Sequence, residues 1–273
     1  LQGLEVITLQ EKPSILYLDA DFSEPLNHAY GTNGIITSLK IATCPAISWQ
    51  EVVIDADTWP QAVQLLQSCI CSAVDLYLAT LLEDQIVNQL PSFCGGSNKN
   101  HRLLFLVAPD GVDTLKRLSS KAGAKFKNLG SENLKSGAGM RELSWNHTTL
   151  HMRAKNPQWT YMQMLLPQPE IDAMKTLKDT WGDDLLWHLE GVNQQGVKRL
   201  AALPILRWKG KDALYDFINH SLDLGAIIFN PHVITVEEGG LGVIDVDQVD
   251  AKHLYDPLGI LNPGKLKGWL LNN

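Results

Sequence analysis

The chain has 273 residues, 45% hydrophobic and 19% charged, with 23 Lys and Arg against 30 Asp and Glu for a net charge of -7. That length predicts about two domains at ~150 residues each, and the composition excludes disordered, collagen-like and coiled-coil classes. The acidic balance, with no useful Lys/Arg cluster, argues against nucleic-acid and anionic-membrane partners and favours a small molecule.

Leu1 stands where a methionine would open a chain, and alternation begins at once (Leu4, Val6, Thr8). This gives the expectation that the sequence is the latter part of something longer, or processed. Residues 1–48 read as short strands over Leu4–Leu9, Ser14–Leu18 and Gly34–Ala42, with an acidic turn at Asp19–Leu26 where Pro25 interrupts any ladder. From Trp49 strands and helices alternate. Glu51–Ile54 is a strand, and Thr58 caps a helix whose face is Ala62, Val63, Leu65, Leu66 and Cys69. Val74–Leu82 and Leu103–Val107 are strands, Asp110 caps a helix through Val112, Leu115 and Leu118, and Ala124–Lys127 is a short strand. Gly130–Gly139 is a polar, glycine-rich loop long enough to move or to act as a lid.

The same order recurs. Thr160–Leu166 is strand-like, Pro169–Trp181 is a helix, and Asp184–Glu190 and Arg199–Arg207 are strands around the turn 191–196. A helix over Lys211–Leu222 and a strand over Ala226–Phe229 complete it, and after Pro231 the pattern becomes turns and a short tail. Two β-α-β-β-α-β runs, 49–128 and 159–230, predict an α+β architecture: ferredoxin-like units in an antiparallel sheet with helices on one face.

Cys44, Cys69, Cys71 and Cys94 form no C-x-x-C pair and have no histidine at ligand spacing, so they read as buried or stray thiols of a reducing compartment. No apolar run approaches the ~18 residues of a membrane span, and no basic region followed by an apolar stretch opens the chain; the cytoplasm is the expected location. Nucleophile elbow, P-loop and zincin helix are all absent from the sequence, which leaves hydrolase and kinase readings without support.

Two segments stand apart from the scaffold. In HAYGTNGIITSLKI, His28–Ile41, two glycines three apart precede a β-branched strand, a pattern that lets backbone N–H groups face an anion or flat ring, or that makes a tight hairpin turn. In DPLGILNPGK, Asp256–Lys265, Pro257 and Pro263 fix φ, Gly259 and Gly264 permit bends, and Asn262 sits in a rigid turn with amide donor and acceptor both free to read a hydrogen-bonding edge. The alternative is a stiff closing turn.

Together these segments resemble the FAD-linked oxidases of the vanillyl-alcohol oxidase and p-cresol methylhydroxylase type, in particular the D-lactate dehydrogenase and glycolate oxidase branch. That family shows G-T-L-G-I-[IV]-T, matched here by Gly31–Thr37 with Asn33 in place of leucine, and D-P-x-G-x-[LM]-N-P-G-K, matched from Asp256 through Lys265. The resemblance covers nearly the whole chain. It implies that residues 1–48 are the C-terminal part of an FAD-binding domain, 49–235 a substrate (cap) domain holding the two ferredoxin-like units, and 236–273 a return to the FAD-binding domain. The backbone around Gly31, Thr32, Asn33, Gly34, Ile35 and Ile36 would line the ADP part of FAD, and Asn262 would lie near the pyrimidine edge of its ring. The family's glycine-rich pyrophosphate loop has no counterpart here: Gly95-Gly96, Gly137-Ala138-Gly139 and Gly239-Gly240 lie in or after the cap region. The chain is therefore expected to carry an incomplete FAD-binding subdomain and to be inactive as an enzyme on its own.

Oxidation of a hydroxylated substrate such as a 2-hydroxy acid, by hydride transfer to flavin N5, needs a base for the hydroxyl proton and a cation for the carboxylate. His232 is the first candidate base, against a histidine merely held in a turn; the family's Glu-His-Gly segment is matched only loosely by Glu237–Gly240. His188 and Glu190 alternate on one strand and share a face, as a pocket floor or an exposed pair. Arg207 is the candidate carboxylate clamp, against an ordinary surface arginine. Trp145, Asn146 and His147 are a stacking group or packing between the units. No metal is expected, the electron acceptor is undefined, and a homo-oligomer through the cap sheet stays open. The competing functions are a cap-domain remnant acting as a non-catalytic binding or interaction module, and a tandem ferredoxin-like small-molecule sensor.

Overall fold

The chain is described by a computed structural model over residues 1–90, 99–135, 139–194, 196–239 and 244–271. Cys94, Gly95, Gly96, Gly137, Ala138 and Gly240 lie outside the described residues. The chain divides into two units, Leu1–Ala46 with Phe229–Asn273, and Ile47–Ile228.

The first unit begins with strands β1 (Gly3–Ile7), β2 (Ile15–Asp19) and β3 (Ile35–Lys40), ordered β2-β1-β3 and antiparallel throughout. The central strand buries Leu4 and Val6 against Leu26, with Leu16, Leu18 and Tyr255 packed around them. Asp19–Leu26, expected as a turn, is helical. Asp19 caps the short helix α1 (Ala20–Ser23) by accepting from the Phe22 N–H at 3.2 Å, and Pro25 falls within the 3-10 turn that follows.

The second unit holds β4 (Gln50–Ala56), α2 (Trp59–Ile70), β5 (Leu76–Leu82), α3 (Asp84–Val87), β6 (His101–Val107), α4 (Val112–Lys121) and β7 (Lys125–Ser131). After them come α5 (Asn146–Lys155), β8 (Trp159–Tyr161), β9 (Gln163–Leu165), α6 (Glu170–Trp181), β10 (Leu185–Leu186), β11 (His188–Gln194), β12 (Val197–Ala202), β13 (Ile205–Arg207), α7 (Lys211–Asp223) and β14 (Ile227–Phe229). One eight-stranded sheet runs β14-β9-β12-β11-β5-β6-β4-β7. Each half places its strands in the spatial order fourth, first, third, second, and the halves join antiparallel where Leu189 pairs Leu81 and Glu190 pairs Thr80. The strands expected over 160–166, 184–190 and 199–207 each break once, at Met162, Trp187 and Leu203–Pro204, and β8, β10 and β13 form a separate small sheet.

Both faces of the large sheet are covered, which is why β6, after His101 and Arg102, continues as Leu103, Leu104, Phe105, Leu106, Val107 without a polar residue. Leu103, Phe105 and Leu189 pack with α2, α4, α6 and α7, whereas Leu82, Leu104 and Leu106 pack with Met140, Leu143, Met152 and Trp159. Helices therefore do not keep to one face: α5, unexpected from the sequence, belongs to the second. Its only buried residues are Thr148, Thr149 and Met152, so it carries no apolar stripe to announce it. The described ends of the Gly130–Gly139 loop are held by the Glu51 carboxylate, which accepts from the Asn133 N–H at 3.2 Å and the Met140 N–H at 3.0 Å.

Helix α2 starts where expected. The Thr58 hydroxyl and the Gln61 side chain each accept the other residue's backbone N–H at 3.4 Å, a reciprocal cap. Thr58→Ala is expected to lower stability by about 1 kcal/mol, the usual worth of such a cap, read from a urea unfolding curve; an unchanged midpoint would show the cap to be idle.

The first unit closes with α8 (Val236–Gly239), α9 (Val246–Tyr255) and α10 (Lys267–Leu271), where the sequence suggested only turns and a tail. Asp245 caps α9, and the helix buries Gln248, Val249, Ala251 and Lys252. Among the described residues no helix is long and apolar enough to cross a membrane, and no cluster of His, Cys, Asp and Glu could hold a metal. Cys44 and Cys71 are exposed; Cys69 is buried, and burial pushes its thiol up to about 12.

Candidate functional site

In the first unit, the turn before β3 is built from backbone in conformations that side chains rarely tolerate. His28, Tyr30 and Gly31 have φ of 52°, 51° and 67°, and Gly34 reaches 109°. The side chains of Thr32 and Asn33 point inward and are used there. Thr32 Oγ1 lies 2.6 Å from the Ala29 carbonyl and 2.9 Å from Asn33 Oδ1, while Asn33 Nδ2 donates to the carbonyls of Pro25 at 3.0 Å and Gln248 at 2.9 Å. The exposed side chains of the segment are those of His28 and Tyr30, with Ile35 and Ile36 beyond them, and the Gly31 backbone lies between.

The closing turn is organised around Asp256, fully buried at the end of α9. Its carboxylate accepts the N–H of Ile260 at 3.2 Å and of Leu261 at 2.8 Å, bending the chain so that Asn262 takes φ 42°. Lys252, one helical turn before Asp256 and 2% exposed, donates to that carboxylate and to the carbonyls of Leu261 at 3.0 Å and Thr32 at 2.9 Å. Three acceptors use all three ammonium protons.

These two turns, some 230 residues apart in sequence, meet. Asn262 Nδ2 donates to the carbonyls of Tyr30 at 2.7 Å and Gly31 at 3.1 Å. Both amide protons are spent inside the chain, so the expectation of a free donor at Asn262 is corrected: only Oδ1 remains to read a ligand, and no described residue donates to it. Beside the junction lies a cavity of about 110 Å³ lined by Thr32, Lys252, Gly259, Asn262, Leu266 and Trp269, among others. Of its lining, Gly259, Asn262 and Gly264 have positive φ, at 64°, 42° and 86°. His232 belongs to the same unit and stands exposed in a turn whose N–H donates to Asn230 Oδ1 at 2.9 Å.

The second unit carries the other candidates. His188 and Glu190 are 0% and 1% exposed, which removes the exposed-pair alternative. His188 Nε2 meets Glu190 Oε1 at 2.7 Å, the Trp145 backbone N–H donates to the same oxygen at 2.8 Å, and Thr80 Oγ1 donates to Oε2 at 2.6 Å. Glu190 thus anchors the start of α5, where Trp145 holds φ 52°, and a carboxylate there is favoured by the helix dipole. His188 Nδ1 is buried with no hydrogen-bond partner among the described residues. Arg207 is elsewhere: its Nε donates to Asp184 Oδ1 at 2.9 Å and its guanidinium lies 4.5 Å from the Trp159 ring centre. Lys209 donates to the other Asp184 oxygen, and these two cations, Lys209 first, hold the Asp184 carboxyl below its ordinary range. Asn146 opens α5, and His147 is half exposed with Nδ1 3.2 Å from Glu142.

Sequence reasoning missed Lys252 and Thr80. Lys252 lies four residues before Asp256 on one helix face, a spacing that would have revealed the pair had α9 been recognised. Thr80 carried no local signal, because only the junction of β5 and β11 brings it to Glu190.

No family model matches the sequence, and no curated protein matches it. Solved structures do share its fold. An alkyldihydroxyacetonephosphate synthase aligns with 97% of this chain at 16% identity and a TM-score of 0.57. The 6-hydroxy-D-nicotine oxidase of Arthrobacter nicotinovorans aligns with 94% at 11% identity and a TM-score of 0.52, and BBE-like 1 of Physcomitrella patens with 96% at 11% identity and 0.56. The chain spans 53% of the length of the first and 64% of each of the others. At such identities the likeness is one of fold, mixed helices and antiparallel sheet.

Proposed function

We propose that this chain is part of an FAD-dependent oxidoreductase acting on a small hydroxylated substrate, a 2-hydroxy acid among the candidates, in the D-lactate dehydrogenase and glycolate oxidase branch. Residues 1–48 and 236–273 would be its FAD-binding part, and 49–235 its substrate domain of two ferredoxin-like units, a reading supported by the repeated strand order. The observation that carries the proposal is the junction of Asn262 with Gly31, because it assembles both motifs into one surface.

The residues present fit the group in part. A Cβ on Gly31 would lie 2.9 Å from Asn262 Nδ2, so this backbone stays bare and open to close approach, and the free Oδ1 of Asn262 suits a ring N–H. Lys252 itself offers nothing to a pyrophosphate, since its three protons are already used. FAD, when bound, supplies the acceptor for a hydride leaving the substrate carbon. Exposed His232 would take the hydroxyl proton at an imidazole nitrogen. Arg207 would hold a carboxylate, in competition with Asp184, which already occupies its Nε. His188 and Glu190 would orient Trp145 from beneath.

Titration of the chain with FAD is expected to quench flavin fluorescence. In Asn262→Asp a carboxylate oxygen faces the Tyr30 and Gly31 carbonyls in place of the amide, and losing two hydrogen bonds of about 0.5–1.5 kcal/mol each should weaken binding roughly tenfold or more. A wild-type chain that leaves FAD fluorescence unchanged would refute the reading. It would favour the second one, a non-catalytic binding or interaction module, for which the specific observation is that His188 and Glu190 are sealed from solvent, at 0% and 1% exposed, with His188 Nε2 held 2.7 Å from Glu190 Oε1.

A further inference from the structure

We propose that Lys252 is a positioning residue: its buried ammonium locks the early glycine turn and the closing Asn-Pro-Gly turn into one binding element, so that the two form and loosen together. In its consequence for flavin the inference rests on the function proposed above; in its structural content it does not.

The geometry separates this role from that of an ordinary ion pair. Only one of the three Lys252 protons goes to Asp256; the others go to the carbonyls of Thr32, inside the early turn, and Leu261, the residue before Asn262. Each turn has its own internal bonds, Thr32 N–H to the Ala29 carbonyl at 3.0 Å and Lys265 N–H to the Asn262 carbonyl at 3.2 Å. Those bonds shape each turn but do not set one against the other. The exposed Asn262 amide does so from the outside and Lys252 from the inside. An apolar side chain at 252 would leave two buried carbonyls and a carboxylate short of a donor. Asp256 has a second duty, accepting from Ile260 and Leu261, so the lysine is not there merely to neutralise a stray charge.

The test uses the full chain in three forms: wild type, Lys252→Met, and Lys252→Met with Asp256→Asn. The double variant removes both charges, so it avoids the large penalty of a buried unpaired carboxylate while still lacking the lysine's bonds. Amide hydrogen exchange is expected to speed up roughly tenfold or more over both 29–34 and 259–265 in each variant, with the β1–β3 ladder unchanged. If Lys252→Met opens that ladder as well, the double variant is the one read. Loosening of one turn alone, of neither, or wild-type rates in the double variant would overturn the proposal. A flavin measurement is run beside it, at a temperature where the double variant is still folded: it is expected to bind FAD roughly tenfold or more weakly than wild type, the scale of one or two lost hydrogen bonds. Equal FAD affinity in the wild type and the double variant would end the positioning role and leave the flavin reading intact. A wild type that takes up no FAD would end the flavin reading, and exchange alone would then decide the role of Lys252.

Discussion

Glu190→Ala is expected to lower the stability of the second unit by about 3–5 kcal/mol, the scale of several buried donors losing one shared acceptor. The carboxylate is 1% exposed and serves His188, Trp145 and Thr80 at once. Removing it strands three donors where water does not reach, each costing about 1–3 kcal/mol if nothing else relaxes. Trp145 adds to this, because its φ of 52° is a conformation a tryptophan keeps only while something holds it. Its N–H bond to Glu190 is that restraint, so hydrogen exchange in α5 should rise before the rest of the sheet responds. Glu190→Gln separates the contributions: with its carbonyl in the place of Oε1 it still accepts from His188 and Trp145, while its NH2 group faces the Thr80 hydroxyl, which must turn from donor to acceptor. An intermediate loss is expected, measured by urea denaturation followed through tryptophan fluorescence. A Glu190→Ala protein within about 0.5 kcal/mol of wild type, the usual span of an inconsequential surface change, would show the cluster to be incidental.

Gly34→Ala is expected to cost about 2–5 kcal/mol, from the strain of a positive φ and from overpacking. The residue sits at φ 109°, and a Cβ there would stand 2.5 Å from Val6 Cγ2, in the middle of the small unit's core. Val6 cannot retreat without moving β1, which carries both neighbouring strands. Gly31→Ala is the informative contrast. Its φ of 67° lies in the left-handed region, and the nearest atom its Cβ would meet is Asn262 Nδ2 at 2.9 Å, at the junction itself. The stability loss should be about 1–2 kcal/mol, with FAD binding lost more severely than stability. Thermal melts and fluorescence titrations of the two variants side by side distinguish a core glycine from a site glycine. Equal effects of both substitutions on both measurements would remove the distinction.

Most of the scaffold was readable before any coordinates, for a definite reason. In α2 and α7 the buried residues are nearly all apolar and recur at helical spacing, and in β4 and β6 both faces are buried, so burial alone writes the pattern. The paired order of strands and helices followed from that periodicity. Helices α5 and α9 escaped because Thr148, Thr149, Gln248 and Lys252 are buried beside only Met152, Val249 and Ala251, which leaves no apolar stripe; Gln248 and Lys252 are inside to reach the carbonyls of Asn27 and Thr32, far away in sequence. The breaks at Met162, Trp187 and Leu203–Pro204 escaped too, since an apolar run reads the same whether the strand is straight or bent into a second sheet.

The candidate site divides along the same line. Local residue types marked Gly31, Gly34, Asp256 and Asn262 as special, because positive φ and rigid bends demand particular residues wherever they occur. Which way the Asn262 amide points, what Lys252 holds, that Thr80 completes the Glu190 cluster and that Arg207 is already engaged by Asp184 were decided by the tertiary structure alone. Each is a hydrogen bond between distant parts of the chain. Such a bond depends on where folding delivers its two ends, and one-dimensional spacing holds no record of that.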